Sequence, residues 1–168
     1  QITTDGLGNW VAVWQSRETL LGTVGGDLDI FISRSTDNGA TWTAPAVLNT
    51  NGTSDSGDDY YPQVTTDSAG NWVAVWTSFE NLVGTAGFDG DIFFSTSTNN
   101  GSTWSDPALL NTNGTTDSGH DWSPQVATDG AGNWVAVWYS YEFDINVPDI
   151  DIFVSTFSFL GTNPLATM

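Results

Sequence analysis

Short apolar runs separated by Gly, Asn, Asp and Pro recur along the whole chain. The most regular run, Asn-Trp-Val-Ala-Val-Trp, occurs at 9–14, 71–76 and 133–138, so its copies are 62 residues apart. Near-identical segments at a constant period indicate one supersecondary unit copied in tandem. Both faces of this run are apolar, Trp/Ala/Trp on one side and Val/Val on the other, which is typical of a strand covered on both sides.

Each unit is predicted to contain four strands. The first covers 1–5, 63–67 and 125–129, the second is the Trp-Val-Ala-Val-Trp run, the third covers 29–33, 91–95 and 151–155, and the fourth covers 44–49 and 106–111. Gly, Pro and Asn punctuate every connection, which disfavours helix. The pattern predicts an all-β fold of β-propeller blades, each of four antiparallel strands. Three tandem repeats would make half of a six-bladed ring, or a fragment of one.

The predicted blades cover 1–50, 62–112 and 124–168, and the acidic Gly/Ser/Asp loops 51–61 and 113–123 join them. Alternation of strand direction places the Gly/Asn turn between the first two strands and the turn before the fourth strand on one face. The loop between the second and third strands lies on the opposite face, together with the loop that joins successive units.

The segments 35–42 and 97–104 read Ser-Thr-Asp-Asn-Gly-Ala-Thr-Trp and Ser-Thr-Asn-Asn-Gly-Ser-Thr-Trp. They resemble the Asp-box, or BNR repeat, of the sialidase-like β-propeller superfamily. The matching residues are Ser35, Asp37, Gly39, Thr41 and Trp42 in the first copy, and Ser97, Asn99, Gly101, Thr103 and Trp104 in the second. Asx and Gly chemistry predicts a structural clasp for the box. The resemblance implies that the boxes lie on the face away from the active site of such propellers.

The chain carries 20 acidic residues, two arginines and no lysine, for a net charge of −18. This charge repels phosphate backbones and anionic lipid, so we expect neither nucleic-acid binding nor membrane insertion. The chain has no cysteine, which excludes disulfides and thiolate metal sites. A composition poor in Lys and rich in Thr, Ser, Asn and Gly favours a secreted or cell-surface bacterial protein.

The resemblance to sialidases implies a substrate clamp of three arginines, a Tyr–Glu nucleophile pair and an acidic proton donor. Only Arg17 and Arg34 are present, so the clamp is missing and no catalytic residue is carried over. We therefore expect a non-catalytic extracellular module that binds glycan or protein. The alternatives are a part of a sialidase-like glycoside hydrolase whose catalytic residues lie outside this chain, and a structural repeat of a large surface protein.

Acidic residues recur on the predicted face that carries the second-to-third strand loops. Turn capping, Ca²⁺ binding through carboxylate oxygens and glycosidase carboxylates are the three interpretations of this pattern. The candidate calcium ligands are Glu18, Asp27, Asp29, Glu80, Asp89, Asp91, Glu142, Asp149 and Asp151.

Aromatic residues follow the inter-unit loops on the same face. Tyr60, Tyr61 and Trp122 are candidates for stacking on sugar rings, with His120 beside them, or alternatively they separate neighbouring blades. Three blades do not close a propeller. If the chain is complete, we expect a homo-oligomer in which two copies close a six-bladed ring.

Overall fold

The computed structural model describes residues 1–22, 24–52, 54–84, 86–87, 89–116, 119–144, 147–158 and 165–166. The side chains of 83, 142–144, 147–149 and 165–166 lie outside this description. Where helices are described, none is long and apolar enough to cross a membrane.

The chain forms three antiparallel sheets of four strands each, and successive strands are neighbours in every sheet. The first sheet contains β1 (Ile2–Thr4), β2 (Trp10–Ser16), β3 (Asp29–Ser35) and β4 (Ala46–Val47). The second contains β5 (Asp59–Thr66), β6 (Trp72–Ser78), β7 (Asp91–Ser97) and β8 (Ala108–Leu109), with a 3-10 turn at Leu82–Gly84. The third contains β9 (His120–Thr128), β10 (Asn133–Asp144), β11 (Val147–Ser158) and β12 (Leu165–Ala166). The predicted all-β fold of three blade-like units is confirmed.

The sheets pack face to face, with the valine face of one against the tryptophan face of the next. Val11 and Val13 of the first sheet share a core with Trp72, Ala74 and Trp76 of the second. The other face of the second sheet packs on the third sheet in the same way. Val73, Val75 and Ile92 of the second sheet share a core with Trp134, Ala136 and Trp138 of the third. The repeated hexapeptide is apolar on both faces because, in the middle blade, a neighbour covers each of them.

Several strand boundaries differ from the sequence prediction, and one of them is the start of β9 at His120, inside the predicted loop 113–123. β5 begins at Asp59, so Asp59 and Tyr60, predicted as loop, pair with β6. A register shift between Tyr60 and Gln63, with Tyr61 at φ +55°, absorbs the irregularity next to Pro62, which has no N–H to donate. β10 and β11 pair over 12 residues each, whereas the first two units have long loops at this point.

The Asp-box closes the turn before the fourth strand. Asp37 Oδ1 accepts hydrogen bonds from Ser35 Oγ (2.7 Å) and the Thr41 amide (2.8 Å), and Oδ2 accepts from Thr41 Oγ1 (2.6 Å). The amide of Asn38 donates to the carbonyl of Gly8 in the β1–β2 turn (3.1 Å). The box and the Gly/Asn turn therefore lie on one face, and the acidic loops extend from the opposite face.

Candidate functional site

Three carboxylates converge on the acidic face at the junction of the first two blades. Asp27 lies at the end of the β2–β3 loop, Asp29 is the first residue of β3, and Asp55 lies in the loop that leads from β4 to β5. One oxygen of each lies within 4.8 Å of one from each of the others. We call Asp27, Asp29 and Asp55 the aspartate triad.

Each member of the triad keeps one buried oxygen without a hydrogen-bond partner: Asp27 Oδ2, Asp29 Oδ2 and Asp55 Oδ1. Asp29 has no exposed surface at all. A buried carboxylate oxygen that accepts no hydrogen bond carries a desolvation cost, which a bound cation would offset.

Asparagines and glycines shape the wall of the triad. Asn49 Nδ2 donates to Asp29 Oδ1 (2.8 Å) and to Asp55 Oδ2 (3.4 Å), and Oδ1 of Asn49 accepts from the amide of Ile30 (3.0 Å). A Cβ atom at Gly52 would collide with Asp29 Oδ1. Asn51 also has a buried Oδ1 without a partner. The Asp29 carboxylate therefore packs closely against the backbone of Gly52, where a larger residue would displace it.

The second blade contributes two further carboxylates. Asp59, at the start of β5, is 1% exposed and has an Oδ1 atom without a hydrogen-bond partner. Burial raises the pKa of Asp59 well above its usual value, and the carboxylates of Asp55 and Asp29 raise it further. Glu80 Oε2 accepts from the amide of Ser56 (3.3 Å), which brings Glu80 to the loop of the triad.

The triad is electrostatically crowded. Burial raises the pKa of Asp55 to about 7, with added repulsion from Asp29, Asp27 and Glu80. Burial likewise raises the pKa of Asp29. The hydrogen bond from Asn49 opposes this increase, and the charges of Asp27 and Asp58 add to it. Like charges in a partly dry site thus disfavour the ionised forms of Asp55 and Asp29.

The second unit repeats this arrangement. Asn111 Nδ2 donates to Asp91 Oδ1 (2.6 Å), Asn111 Oδ1 accepts from the Ile92 amide (3.0 Å), and Asp89 Oδ2 is buried without a partner. A Cβ atom at Gly114 would collide with Asp91 Oδ1. Residue 117, which corresponds to Asp55, lies outside the described residues.

Asp58 organises a cavity beside the triad. Its Oδ1 accepts from the Leu28 amide (2.8 Å), and its Oδ2 accepts from the Tyr60 hydroxyl (2.8 Å) and from Arg17 (2.9 Å). Burial by itself would raise the pKa of Asp58, but these hydrogen bonds and the Arg17 charge together lower it. The cavity has a volume of about 510 Å³ and is lined by Arg17, Gly26, Asp27, Ser56, Gly57, Asp58, Tyr60 and Phe79.

An aromatic cluster adjoins this cavity at the junction of the second and third blades. Its members are Tyr60, Tyr61, Phe79, His120 and Trp122, and the ring centroids of contacting pairs are 5.4–6.0 Å apart. Tyr61 is 48% exposed, so part of the cluster is open to a ligand. Tyr60 belongs to both features, because its ring lies in the cluster and lines the cavity.

His120 takes the structural place of Asp58 in the second unit. Its Nδ1 atom accepts a hydrogen bond from the amide of Gly90 (2.9 Å), as Asp58 Oδ1 does from the equivalent Leu28 amide. Its ring also contacts Phe79 and Trp122. The histidine therefore anchors the loop before β7 and completes the aromatic cluster.

The sequence-predicted metal ligands divide into three groups in the structure. Asp27 and Asp29 meet in the triad, and Asp89 and Asp91 occupy the equivalent place in the second unit. Glu18 is exposed and accepts a hydrogen bond from the nearby Leu20 amide (3.2 Å), whereas Glu80 interacts electrostatically with Asp55 of the preceding unit. In the third unit, Asp151 is exposed on β11.

The other two predicted ligands of the third unit are Glu142 and Asp149. They are backbone partners on the paired β10 and β11, and their side chains lie outside the described residues. The third unit thus has a regular hairpin where the first two units have acidic loops.

The candidate ligands chosen from the sequence did not include Asn49 or Phe79. They also left out Asp55, Asp58 and Asp59, although these three lie in an acidic inter-unit loop on the predicted acidic face. The repeat held a usable signal for three of them, because Asn49, Asp55 and Asp59 recur as Asn111, Asp117 and Asp121. The two arginines are used in different places. Arg17 lies at the cavity, and Arg34 Nη1 donates to the carbonyl of Asn100 in the second Asp-box (3.2 Å).

No family model matches the chain, and no curated protein sequence matches it. Among solved structures, it is similar to a Hadza microbial sialidase, with a TM-score of 0.52 and 14% identity over 99% of this chain and 45% of that one. It is also similar to the GH93 α-L-arabinofuranosidase of Fusarium graminearum solved with arabinobiose. That match has a TM-score of 0.52 and 15% identity over 89% of this chain and 40% of the enzyme.

These similarities concern the fold, and the chain spans less than half the length of either protein. They agree with the Asp-box geometry and with the order of strands in each sheet. The chain is therefore an array of blades with the sialidase-like β-propeller fold, and its first two blades carry Asp-boxes.

Proposed function

We propose that this chain is a secreted, non-catalytic propeller module that binds a neutral glycan on its acidic face. The observation that carries the proposal is the partly exposed aromatic cluster at the rim of a polar cavity. Sugar rings bind to sites that pair a flat aromatic surface with a few oriented hydrogen-bonding groups. Tyr61 and Trp122 supply the surface, and Arg17 and Asp58 supply the hydrogen-bonding groups.

The charge of the site narrows the ligand class. Asp27 and Asp58 line the cavity, and the whole chain carries a net charge of −18, so an anionic sugar would be repelled. Arg17 is already paired with Asp58, at 2.9 Å, and half of its side chain remains exposed. A neutral glycan can accept hydrogen bonds from the free N–H groups of this guanidinium and donate to the carboxylate.

A glycan array followed by titration calorimetry tests the proposal. We expect a neutral glycan to bind, and we expect Tyr61→Ala and Trp122→Ala each to weaken binding about tenfold, which corresponds to about 1.4 kcal/mol. Trp42→Ala is the matched control, because Trp42 is also partly exposed (39%) but belongs to the Asp-box on the opposite face. An array without ligands, or an equal loss in the control, would refute the proposal.

A second candidate function is that of one part of a larger glycoside hydrolase. The chain matches only 45% of the sialidase and 40% of the arabinofuranosidase, as a part of a longer enzyme would. In that case catalytic residues outside this chain would complete the site. Release of sugar from aryl glycosides by a longer protein that contains this chain, and not by the chain alone, would favour this candidate over a purely binding role.

A further inference from the structure

We propose that the aspartate triad is a calcium site that joins the first two blades. This proposal is independent of glycan binding, and it rests on where the buried carboxylate oxygens lie. Asp27 and Asp29 come from the first blade, Asp55 from the inter-blade loop, and one oxygen of each lies within 4.8 Å of the other two.

Buried oxygens without a partner are the observation that points to a ligand. Asp29 is fully buried, and its Oδ2 accepts no hydrogen bond. Asp59 is 1% exposed, interacts electrostatically with Asp55 and Asp29 from the second blade, and also has an Oδ1 without a partner. Turn-capping carboxylates, by contrast, accept hydrogen bonds from nearby amides. Asp5 Oδ1, for example, accepts from the amides of Leu7 (2.7 Å) and Asn9 (3.1 Å).

The donor set fits calcium better than other cations. It consists of carboxylate oxygens alone, one from each aspartate of the triad. Calcium takes about six to eight oxygen ligands in flexible geometry, whereas magnesium demands a tight octahedron and keeps several waters. The chain has no cysteine, and the ring of its single histidine packs in the aromatic cluster. The site therefore lacks the sulfur and imidazole ligands that zinc favours.

A cation here would neutralise repulsion across the blade junction. The carboxylates of Glu80 and Asp59 on the second blade face Asp55. Without a cation, the carboxylates of Asp55 and Asp59 cannot both be ionised without repelling each other across the junction. With a cation, the same groups draw the loop against both blades. Calcium should therefore stabilise the junction as a whole and not only the loop.

Calorimetric titration with CaCl₂ at neutral pH, without sugar, tests the site, and terbium luminescence excited through tryptophan gives a second readout. We expect the chain to bind calcium, and we expect Asp55→Asn to remove one bound ion or weaken it at least about tenfold. Glu18→Gln changes charge by the same amount at a predicted ligand outside the triad, so calcium binding should be unchanged. A chain that binds no calcium, or a variant Asp55→Asn that binds as the parent does, would overturn the site.

Thermal melting separates loss of the site from loss of the fold. In EDTA, Asp55→Asn should melt at or above the temperature of the parent chain, because the substitution removes one of the repelling charges. In excess calcium, the parent should gain several degrees and the variant should gain less. Equal gains for both proteins, or a larger gain with magnesium than with calcium, would contradict the proposal.

Discussion

Asp37 and Asn99 occupy the same position of two Asp-boxes and build almost the same turn. Asn99 Oδ1 accepts from Ser97 Oγ (2.9 Å) and the Thr103 amide (2.9 Å), as Asp37 Oδ1 does from its own serine and threonine. The difference lies at the second atom. Asn99 Nδ2 donates to Thr103 Oγ1 (2.8 Å), whereas Asp37 Oδ2 accepts from Thr41 Oγ1. A threonine hydroxyl serves both because it can donate or accept.

Because the threonine hydroxyl can serve either residue, Asp37→Asn should remove the charge of the box while keeping its hydrogen bonds. Hydrogen bonds from the Thr41 hydroxyl, the Thr41 amide and the Ser35 hydroxyl lower the pKa of Asp37 to about 2. Because the folded pKa lies below the value of about 3.9 expected in the unfolded chain, the charge stabilises the fold above about pH 4. That contribution is lost as the pH falls toward 2.

We therefore expect Asp37→Asn to keep the turn but to lower the midpoint of urea unfolding at neutral pH. The difference between the parent and the variant should shrink as the pH is lowered from neutral toward 3. Urea titrations at several pH values measure this difference. The other carboxylates are the same in both proteins, so their pH-dependent contributions cancel. A difference independent of pH would show that the Asp37 charge does not contribute.

At the scale of the element, the same strand sequence meets different surroundings in different blades. Trp76 on β6 is fully buried because the first sheet covers its face, and it packs there with Val11 and Val13. Trp14, its counterpart on β2, contacts Phe31 at 6.1 Å between ring centroids and remains partly exposed. Burial thus depends on the neighbouring blade and not on the strand itself.

Truncating these two tryptophans should therefore have unequal effects. Trp76→Ala removes a buried ring and should lower the free energy of unfolding by about 3–5 kcal/mol. Trp14→Ala, the matched control, should cost clearly less, because part of its ring is already in water. Chemical denaturation of both variants measures the difference, and equal losses would show that the first blade has a covered outer face.

At the scale of the molecule, two complementary faces are left without a neighbour among the described residues. The valine face of the third sheet is exposed at Val135, Val137, Ile150, Ile152 and Val154. The tryptophan face of the first sheet, with Trp10 and Trp14, is partly exposed. Inside the chain, a valine face always packs on a tryptophan face. We propose that a second copy provides the missing partner, so that the third blade of one chain packs on the first blade of the other.

We expect the 168-residue chain to form a dimer, consistent with a six-bladed ring, in size-exclusion chromatography with light scattering. Val137→Asp puts a charge on the exposed valine face and should give a folded monomer. Val75→Asp, the equivalent change at a fully buried position of the second sheet, should unfold the chain instead. A parent chain that stays monomeric at high concentration would contradict head-to-tail association.

The repeat in the sequence was sufficient for much of the fold. A 62-residue period, strands apolar on both faces and two Asp-boxes led to three four-stranded blades, because local turn chemistry and strand pattern act over a few residues. The tryptophans of β6 and the valines on its other face were correctly placed as covered on both sides. The start of β5 at Asp59 was missed, since a bulge next to a proline resembles a loop in sequence.

The sites depended on how neighbouring blades approach each other. Sequence order grouped Glu18 with Asp27 and Asp29 as one unit, whereas packing places Asp55 with these two aspartates and brings Glu80 from the next blade instead. Likewise, Tyr60 and Trp122 are 62 residues apart and come into contact only at a blade junction. A repeat period determines what each blade contains. The burial of its polar atoms and the carboxylates that share a site follow only from the packing of one blade on the next.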